Sequence, residues 1–309
     1  VTMHALIVDP GAPASLRLAT TPEPQPAPHQ ALLEVRHISL NRGEIAFAAR
    51  QPPGTVHGYD AAGIVIRPAA DGTGPAAGTR VAAFGPHAWA QYMAADTGAL
   101  AEVPAHVDLV HAAALPMAGI TALRTLRAQP LLGRRVLITG AAGGVGRYAV
   151  QLAAIGGAHV IASVGSAERA GGLTALGAHD VVIGLQGIDE PVDLILDNVG
   201  GPQLAAAWDL LAPGGSVQNI GWASDEPAVF APYSLFHIGP PKTMTTFGDT
   251  RRPGPDLLTL LNFVAAGRLS PEVDWRGSWK RVTEAAQALL ERRIAGKAVL
   301  DIEQPTGRQ

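Results

Sequence analysis

The stretch Gly140-Ala141-Ala142-Gly143-Gly144-Val145-Gly146 constrains this chain more than any other feature. It follows an apolar run, Arg135-Val136-Leu137-Ile138-Thr139, and opens a segment of helical spacing over 145–155 that Gly156-Gly157 closes. Glycines at 140, 143 and 146 read G-x-x-G-x-x-G, a variant of the dinucleotide fingerprint. A tight strand-to-helix turn needs backbone angles that side chains resist, and side chains there would keep a pyrophosphate off the main chain. The helix N-terminus then offers unpaired N–H groups and partial positive charge to the anion. With 36 glycines in the chain, a glycine-rich turn alone says little; its place between strand and helix gives it meaning.

The surroundings repeat that alternation. Apolar runs over 159–163, 180–183, 192–197 and 215–220 read as strands, and 168–176 and 202–211 read as helices, the first stopped at Gly177. Such alternation predicts a parallel sheet covered on both faces. The first third has a different texture. Short strand candidates over 5–8, 31–35, 63–66 and 80–84 each lie near a Gly or Pro turn signal, and the proline-rich 22–28 has no place inside a helix. Residues 112–127 have helical spacing, as do 255–267 and 278–293, and 298–302 reads as a closing strand. The fold class is therefore α/β, a β-rich part beside a doubly wound parallel sheet.

Composition narrows the partners. Twenty-three Lys+Arg against 26 Asp+Glu leave a net charge of -3, which argues against nucleic acid, whose phosphates require a basic patch. No run of about 18 apolar residues suggests a membrane span, and no basic, then apolar, stretch at the start suggests a secretory leader; the expectation is a cytoplasmic protein. The absence of cysteine removes disulfides, thiol nucleophiles and cysteine-ligated zinc together.

The end of the second strand of the alternating region bears on the cofactor. An NAD site places Asp or Glu there for the ribose 2′-hydroxyl. Here the sequence reads Ser163-Val164-Gly165-Ser166-Ala167-Glu168-Arg169. Ser166 can donate to a 2′-phosphate and Arg169 can pair with it, while Glu168 is read as facing solvent. NADPH is favoured over NADH; the plainer reading makes Arg169 a solvated helix residue.

These segments, with Leu176-Gly177-Ala178, Leu196-Asp197-Asn198-Val199-Gly200-Gly201, Ala113-Ala114-Leu115-Pro116, Thr121-Ala122 and Gly296-Lys297-Ala298-Val299-Leu300, resemble the zinc-free quinone oxidoreductases of the medium-chain dehydrogenase/reductase superfamily. The resemblance implies a GroES-like β-rich catalytic domain over 1–118, completed by 252–309, and a Rossmann domain over 119–251. It implies a homodimer joined near 230–247. By the same resemblance Thr121, Gly143, Gly144, Val145, Gly165, Ser166, Arg169, Asn198, Gly221 and Phe247 line NADP(H), and Asn41 lies near the nicotinamide ribose. Zinc-dependent relatives carry a cysteine at the position of Asn41 and a histidine at that of Tyr59, so no metal is expected.

A metal-free reductase suits an acceptor that is already electrophilic, a quinone or an enone. The enolate oxygen formed by hydride addition needs a hydrogen-bond donor, and the α-carbon needs a proton. Relatives often place a tyrosine where this chain has Ala46, and the loop over 50–58 is shorter than usual. Tyr59 is the first candidate donor, Arg50 a candidate for steering an anionic oxygen, and His57, Tyr233 and His237 weaker ones. Each has a plainer reading: a packed aromatic, a surface cation, a structural histidine and, for Asn41, a turn residue bonding its own backbone. Two other functions stay open: an enoyl reductase tailoring a polyketide or other secondary metabolite, and a catalytically quiet NADPH-binding sensor or structural protein.

Overall fold

A computed structural model describes residues 1–304. Residues 305–309, the end of the expected catalytic domain, lie outside the described residues. The chain divides into two compact units, one of residues 1–120 with 250–309 and one of residues 121–249. In chain order the elements are β1 (Thr2–Val8), β2 (Leu16–Pro22), β3 (Gln30–Leu40), α1 (Arg42–Ala46), β4 (Asp60–Arg67), β5 (Arg80–Phe84), β6 (Tyr92–Asp96), β7 (Leu100–Glu102), α2 (Leu109–Ala113) and α3 (Pro116–Arg127). There follow β8 (Arg135–Ile138), α4 (Gly144–Ile155), β9 (His159–Val164), β10 (Asp180–Ile183), β11 (Val192–Asp197), α5 (Gly201–Leu210), β12 (Leu211–Asn219) and β13 (Thr243–Thr246). The chain closes with α6 (Gly254–Ala265), β14 (Val273–Ser278), α7 (Val282–Leu290) and β15 (Lys297–Asp301).

In the 121–249 unit six strands run parallel in the order β10-β9-β8-β11-β12-β13. Val136, Leu137 and Ile138 of β8 are all fully buried, as expected of a strand covered on both faces. Leu204, Ala207 and Trp208 of α5 pack against Leu137, Ile161, Ile195 and Val217 in one apolar cluster. Strand order reverses between β8 and β11, and the carboxyl ends of strands at such a reversal frame a crevice where ligands bind in open α/β sheets.

The other unit holds a seven-stranded sheet, β14-β15-β3-β4-β5-β7 with β6 also on β3, and the two-stranded β1-β2. β15 pairs antiparallel with β3, so a strand from near the C-terminal end lies inside the sheet that β3 begins. Leu33, Val35, Ile38, Trp89, Trp279 and Leu300 are among its buried core.

Two expectations need correction. The helix expected over 168–176 is a single 3-10 turn, Ala167–Ala170, followed by further turns. Adjacent Gly171 and Gly172 break it, the latter at φ +79°. The helical segment over 112–127 is two helices, α2 and α3, because Pro116 lacks the N–H that would continue a helix and instead starts one. Among the described residues no helix is long and apolar enough to cross a membrane.

Candidate active site

Nine of the residues expected around a dinucleotide fall just beyond the carboxyl ends of the parallel strands. Gly143, Gly144 and Val145 follow β8; Gly165, Ser166 and Arg169 follow β9; Asn198, Gly221 and Phe247 follow β11, β12 and β13. The tenth, Thr121, is buried on α3, where its carbonyl accepts from Thr125 Oγ1 at 2.7 Å.

The turn after β8 is built for close approach. Gly140 has φ +61°, and a Cβ on Gly146 would lie 2.4 Å from the Gly140 carbonyl oxygen and 2.6 Å from the Ala141 Cα. Glycine at 146 therefore lets α4 sit directly on the turn. Gly143 caps α4 without a side-chain hydrogen bond, and no acidic residue lies in the first turn. The amides of Gly144, Val145 and Gly146 have no intrahelical acceptor, as at any helix start. Together they make a cradle for an anion with nothing negative in it.

The neighbouring strand ends are tied by one carboxylate. Fully buried Asp197 accepts from Thr139 Oγ1 at 2.8 Å, from the Gly200 amide at 3.0 Å and from Asn219 Nδ2 at 2.9 Å. Asn198 Nδ2 donates to the Thr139 carbonyl at 2.9 Å. The ends of β8, β11 and β12 are thus fixed by satisfied hydrogen bonds, which pre-organise the crevice.

Past β9, Gly165 is exposed and a Cβ added to it would meet nothing within 4 Å. Ser166 donates to the exposed Glu168 carboxylate and holds it below its ordinary value. Arg147 of α4 donates to the Gly171 carbonyl at 2.7 Å and so anchors the loop that carries Arg169.

In the other unit, sheet register builds a polar cluster. Ser39 pairs with Asp60 and Leu40 with Ala298, so Lys297 falls opposite Asn41, and strand alternation puts all four side chains on one face. Asn41 Nδ2 donates to Asp60 Oδ2 and to Glu44 Oε2, both at 2.8 Å. Its Oδ1 accepts from Lys297 Nζ at 2.6 Å. Lys297 Nζ also donates to the Leu40 carbonyl at 3.0 Å and lies 3.5 Å from Asp60 Oδ2. Asp60 further accepts from Ser39 Oγ at 2.8 Å and the Met117 amide at 2.9 Å. Glu44 also accepts from the Asn41 amide at 3.0 Å, in the manner of a capping glutamate on α1. Its other oxygen, Oε1, is buried with no hydrogen-bond partner. Burial and then the nearby Asp60 push the Glu44 carboxyl up to about 8. Burial pulls the Lys297 ammonium down, with Asp60 and Glu44 opposing.

Tyr59, 37% exposed, lies with its ring 5.9 Å from that of Phe84. Arg50 is exposed, its guanidinium 4.3 Å above the Phe47 ring. His57 is buried edge-on to Trp89 at 5.0 Å, its Nε2 3.0 Å from the Glu44 carbonyl, a structural setting that burial keeps neutral. Tyr233 is 83% exposed, and His237 Nε2 lies 2.7 Å from the Pro240 carbonyl. Sequence reasoning passed over Lys297, Asp60 and Glu44 as functional groups. The signal was available: a lysine, one of three in the chain, set directly against an apolar strand. Among the described residues no three His, Cys, Asp or Glu side chains are grouped to hold a metal ion.

Residues 157–300 match the zinc-binding dehydrogenase family. Quinone-oxidoreductase QR1, chloroplastic, of Triphysaria versicolor is 27% identical over 94% of this chain and 95% of its own length. NADPH-dependent alkenal/one oxidoreductase, chloroplastic, of Arabidopsis thaliana is 29% identical over 88% and 72%. Reducing polyketide synthase PKS1 of Cochliobolus heterostrophus is 28% identical over 61% of this chain but 8% of its own length. Among solved structures, the quinone oxidoreductase from Coxiella burnetii superposes with TM-score 0.86 at 26% identity, covering 98% of this chain and all of that one. Mycobacterial Rv1454c complexed with NADPH superposes with TM-score 0.87 at 26% identity, covering 97% and 99%.

Proposed function

The chain belongs to the quinone oxidoreductase branch of the medium-chain dehydrogenase/reductase superfamily, and from that premise we propose that it is an NADPH-dependent reductase of quinones or α,β-unsaturated carbonyls. The observation that carries this reading is the Gly140–Gly146 turn, placed where the order of the parallel strands reverses. The residues there fit a reduced dinucleotide, which when bound supplies the hydride. The amides of Gly144, Val145 and Gly146 hold the pyrophosphate. Arg169 would pair with the 2′-phosphate, and Ser166 would donate to it once its hydroxyl turns away from Glu168. Asn198, Gly221 and Phe247 flank the remainder, and Thr121 completes the set.

The family's catalytic zinc does not fit. The resemblance puts its cysteine at Asn41, whose amide here bonds Glu44, Asp60 and Lys297, and its histidine at Tyr59, so no step is assigned to a metal. The acceptor must therefore be electrophilic in itself, and orientation does most of the work. The Tyr59 hydroxyl is the donor to the developing enolate oxygen, and the Arg50 guanidinium adds positive charge for an anionic oxygen. A homodimer is part of the same reading. The edge strand β13 exposes all four of its residues, and Tyr233, Phe236 and Ile238 just before it are 83%, 80% and 101% exposed.

The test is oxidation of NADPH by the purified protein with a panel of quinones, enones and one enoyl thioester. Turnover of quinones or enones is expected. Turnover of the thioester alone would move the assignment to an enoyl reductase. Fluorescence-detected NADPH binding without any turnover would leave a quiet binding protein.

A further inference from the structure

Three ionisable side chains are sealed around Asn41. Asp60 is 0% exposed, Lys297 2% and Glu44 7%. Their hydrogen bonds can be counted to completion. Lys297 has three donors and three acceptors facing them: the Leu40 carbonyl, Asn41 Oδ1 and Asp60 Oδ2. Both oxygens of Asp60 accept, and the ammonium is among its partners, so Asp60 is the anion that balances Lys297. Glu44 then has no counter-charge left. A second buried anion would be strongly disfavoured, and its Oε1 has no donor at all. A proton on that oxygen removes the uncompensated charge, the costlier part of the conflict.

The same count defines Asn41. The ammonium can only donate, so Oδ1 must face Lys297 and Nδ2 the carboxyls; the amide cannot be flipped. Both N–H groups of Nδ2 are used, and one lone pair of Oδ1 is used. What remains is a single acceptor site.

We propose that Asp60, Lys297 and an un-ionised Glu44 are positioning residues of the reductase, which make the Asn41 amide an obligate acceptor for a hydroxyl or N–H of the bound ligands. The inference rests on the reductase reading above. Asn41 on its own could donate or accept; held this way it can only accept. Its role is to orient a donor group on a ligand, and the enolate oxygen must find its donor elsewhere.

The groups facing Glu44 are few. Asp60 comes from β4 and Lys297 from β15, and His57 Nε2 sits on the Glu44 main-chain carbonyl. Arg42, on the same helix, donates to the Leu289 and Leu290 carbonyls of α7. Glu284 of α7 is paired with Arg281, and Arg50 in the turn after α1 lies over Phe47.

The experiment compares Lys297→Met, Asp60→Asn and the double variant with wild type, by thermal unfolding and by kcat/KM for a quinone that the wild type reduces. Each single variant strands a buried charge and lowers the unfolding temperature. The double variant has no stranded charge, so its unfolding temperature recovers. Its kcat/KM stays about tenfold or more below wild type, because Asn41 Oδ1 has lost the ammonium that fixes it. Recovery of kcat/KM along with stability would reduce the cluster to a structural one and overturn the proposal. A second arm does not depend on those variants folding. Infrared difference spectra of wild type between pH 7 and pH 10 show the carbonyl stretch of a buried carboxylic acid, missing in Glu44→Gln. No such band at pH 7 refutes the proton on Glu44. Failure of wild type with every acceptor would instead sink the reductase reading, while the infrared and unfolding arms still judge the cluster.

Discussion

Replacing Gly146 by alanine sets one methyl group against the main chain of the turn. The new Cβ would stand 2.4 Å from the Gly140 oxygen, against 3.4 Å for ordinary contact, a deficit of 3.4 − 2.4 = 1.0 Å. The Ala141 Cα and carbonyl carbon, at 2.6 and 2.7 Å, close the alternative direction. All three are backbone atoms, so no rotamer change relieves the clash; α4 must lift from β8. Overpacking of this kind costs about 1–3 kcal/mol. At about 2–4 °C per kcal/mol for a chain of this size class, the unfolding temperature falls by about 2–12 °C. The lift also draws the amides of Gly144 and Val145 away from their anion, so the Kd for NADPH, read by nucleotide fluorescence, rises about tenfold, equivalent to about 1.4 kcal/mol. Gly165→Ala is the matched control. Its Cβ meets nothing within 4 Å, so stability holds or rises slightly through the stiffer unfolded chain, yet the methyl fills the space left for the nucleotide and weakens binding. A Gly146→Ala protein with wild-type unfolding temperature and wild-type Kd would refute the packing argument. Unchanged affinity in Gly165→Ala would remove that glycine from the site.

Four further outcomes are expected. Arg169→Ala raises the KM for NADPH about tenfold, on the loss of a charged contact worth about 1.5–3 kcal/mol, and barely moves that for NADH; an unaltered NADPH-to-NADH ratio in steady-state assays excludes the contact. Tyr59→Phe lowers kcat about a hundredfold while NADPH affinity holds, and a kcat within a factor of two in the same assay discards Tyr59 as the donor. Because burial raises the Glu44 carboxyl from 4.5 to about 8, the folded state keeps a proton that the unfolded chain has released. Its stabilising contribution is therefore complete below 4.5 and drains away as pH rises through about 8, at about 1.4 kcal/mol per pH unit, a slope that denaturant titrations should find weakened in Glu44→Gln. If the proposed dimer forms, Phe236→Asp combined with Ile238→Lys converts it to monomer in light scattering, and a wild-type mass that is already monomeric speaks against the edge contact.

The parallel sheet was legible where two-sided burial writes a continuous apolar run, as at 192–197, which emerges with its expected bounds as β11; 180–183 also emerges as β10, although this edge strand buries none of its residues. The β-rich unit was harder. β2, reading Leu-Arg-Leu-Ala-Thr-Thr-Pro, and the three-residue β7 carry too few apolar positions to stand out from loops. The 168–176 segment misled because its spacing suits a helix, and only the backbone freedom of Gly171-Gly172 decided otherwise. For the site, motifs contiguous in sequence were visible. The Asn41 cluster was not, since Asn41, Asp60 and Lys297 meet only through the register of three strands, and register is a property of the folded sheet.

That register has a consequence for how the protein comes into being. Lys297 reaches the Leu40 carbonyl across 257 residues of chain. On a ribosome adding about 5–20 residues per second, the first strands wait on the order of 10–50 s for their final neighbour. Throughout that interval Asp60 has no cation to answer it, and β3 has one open flank. The parallel unit, whose partners are all made between residues 121 and 249, can be finished while the sheet that precedes it is still incomplete. A lysine made 257 residues after Leu40 thus completes the sheet around it.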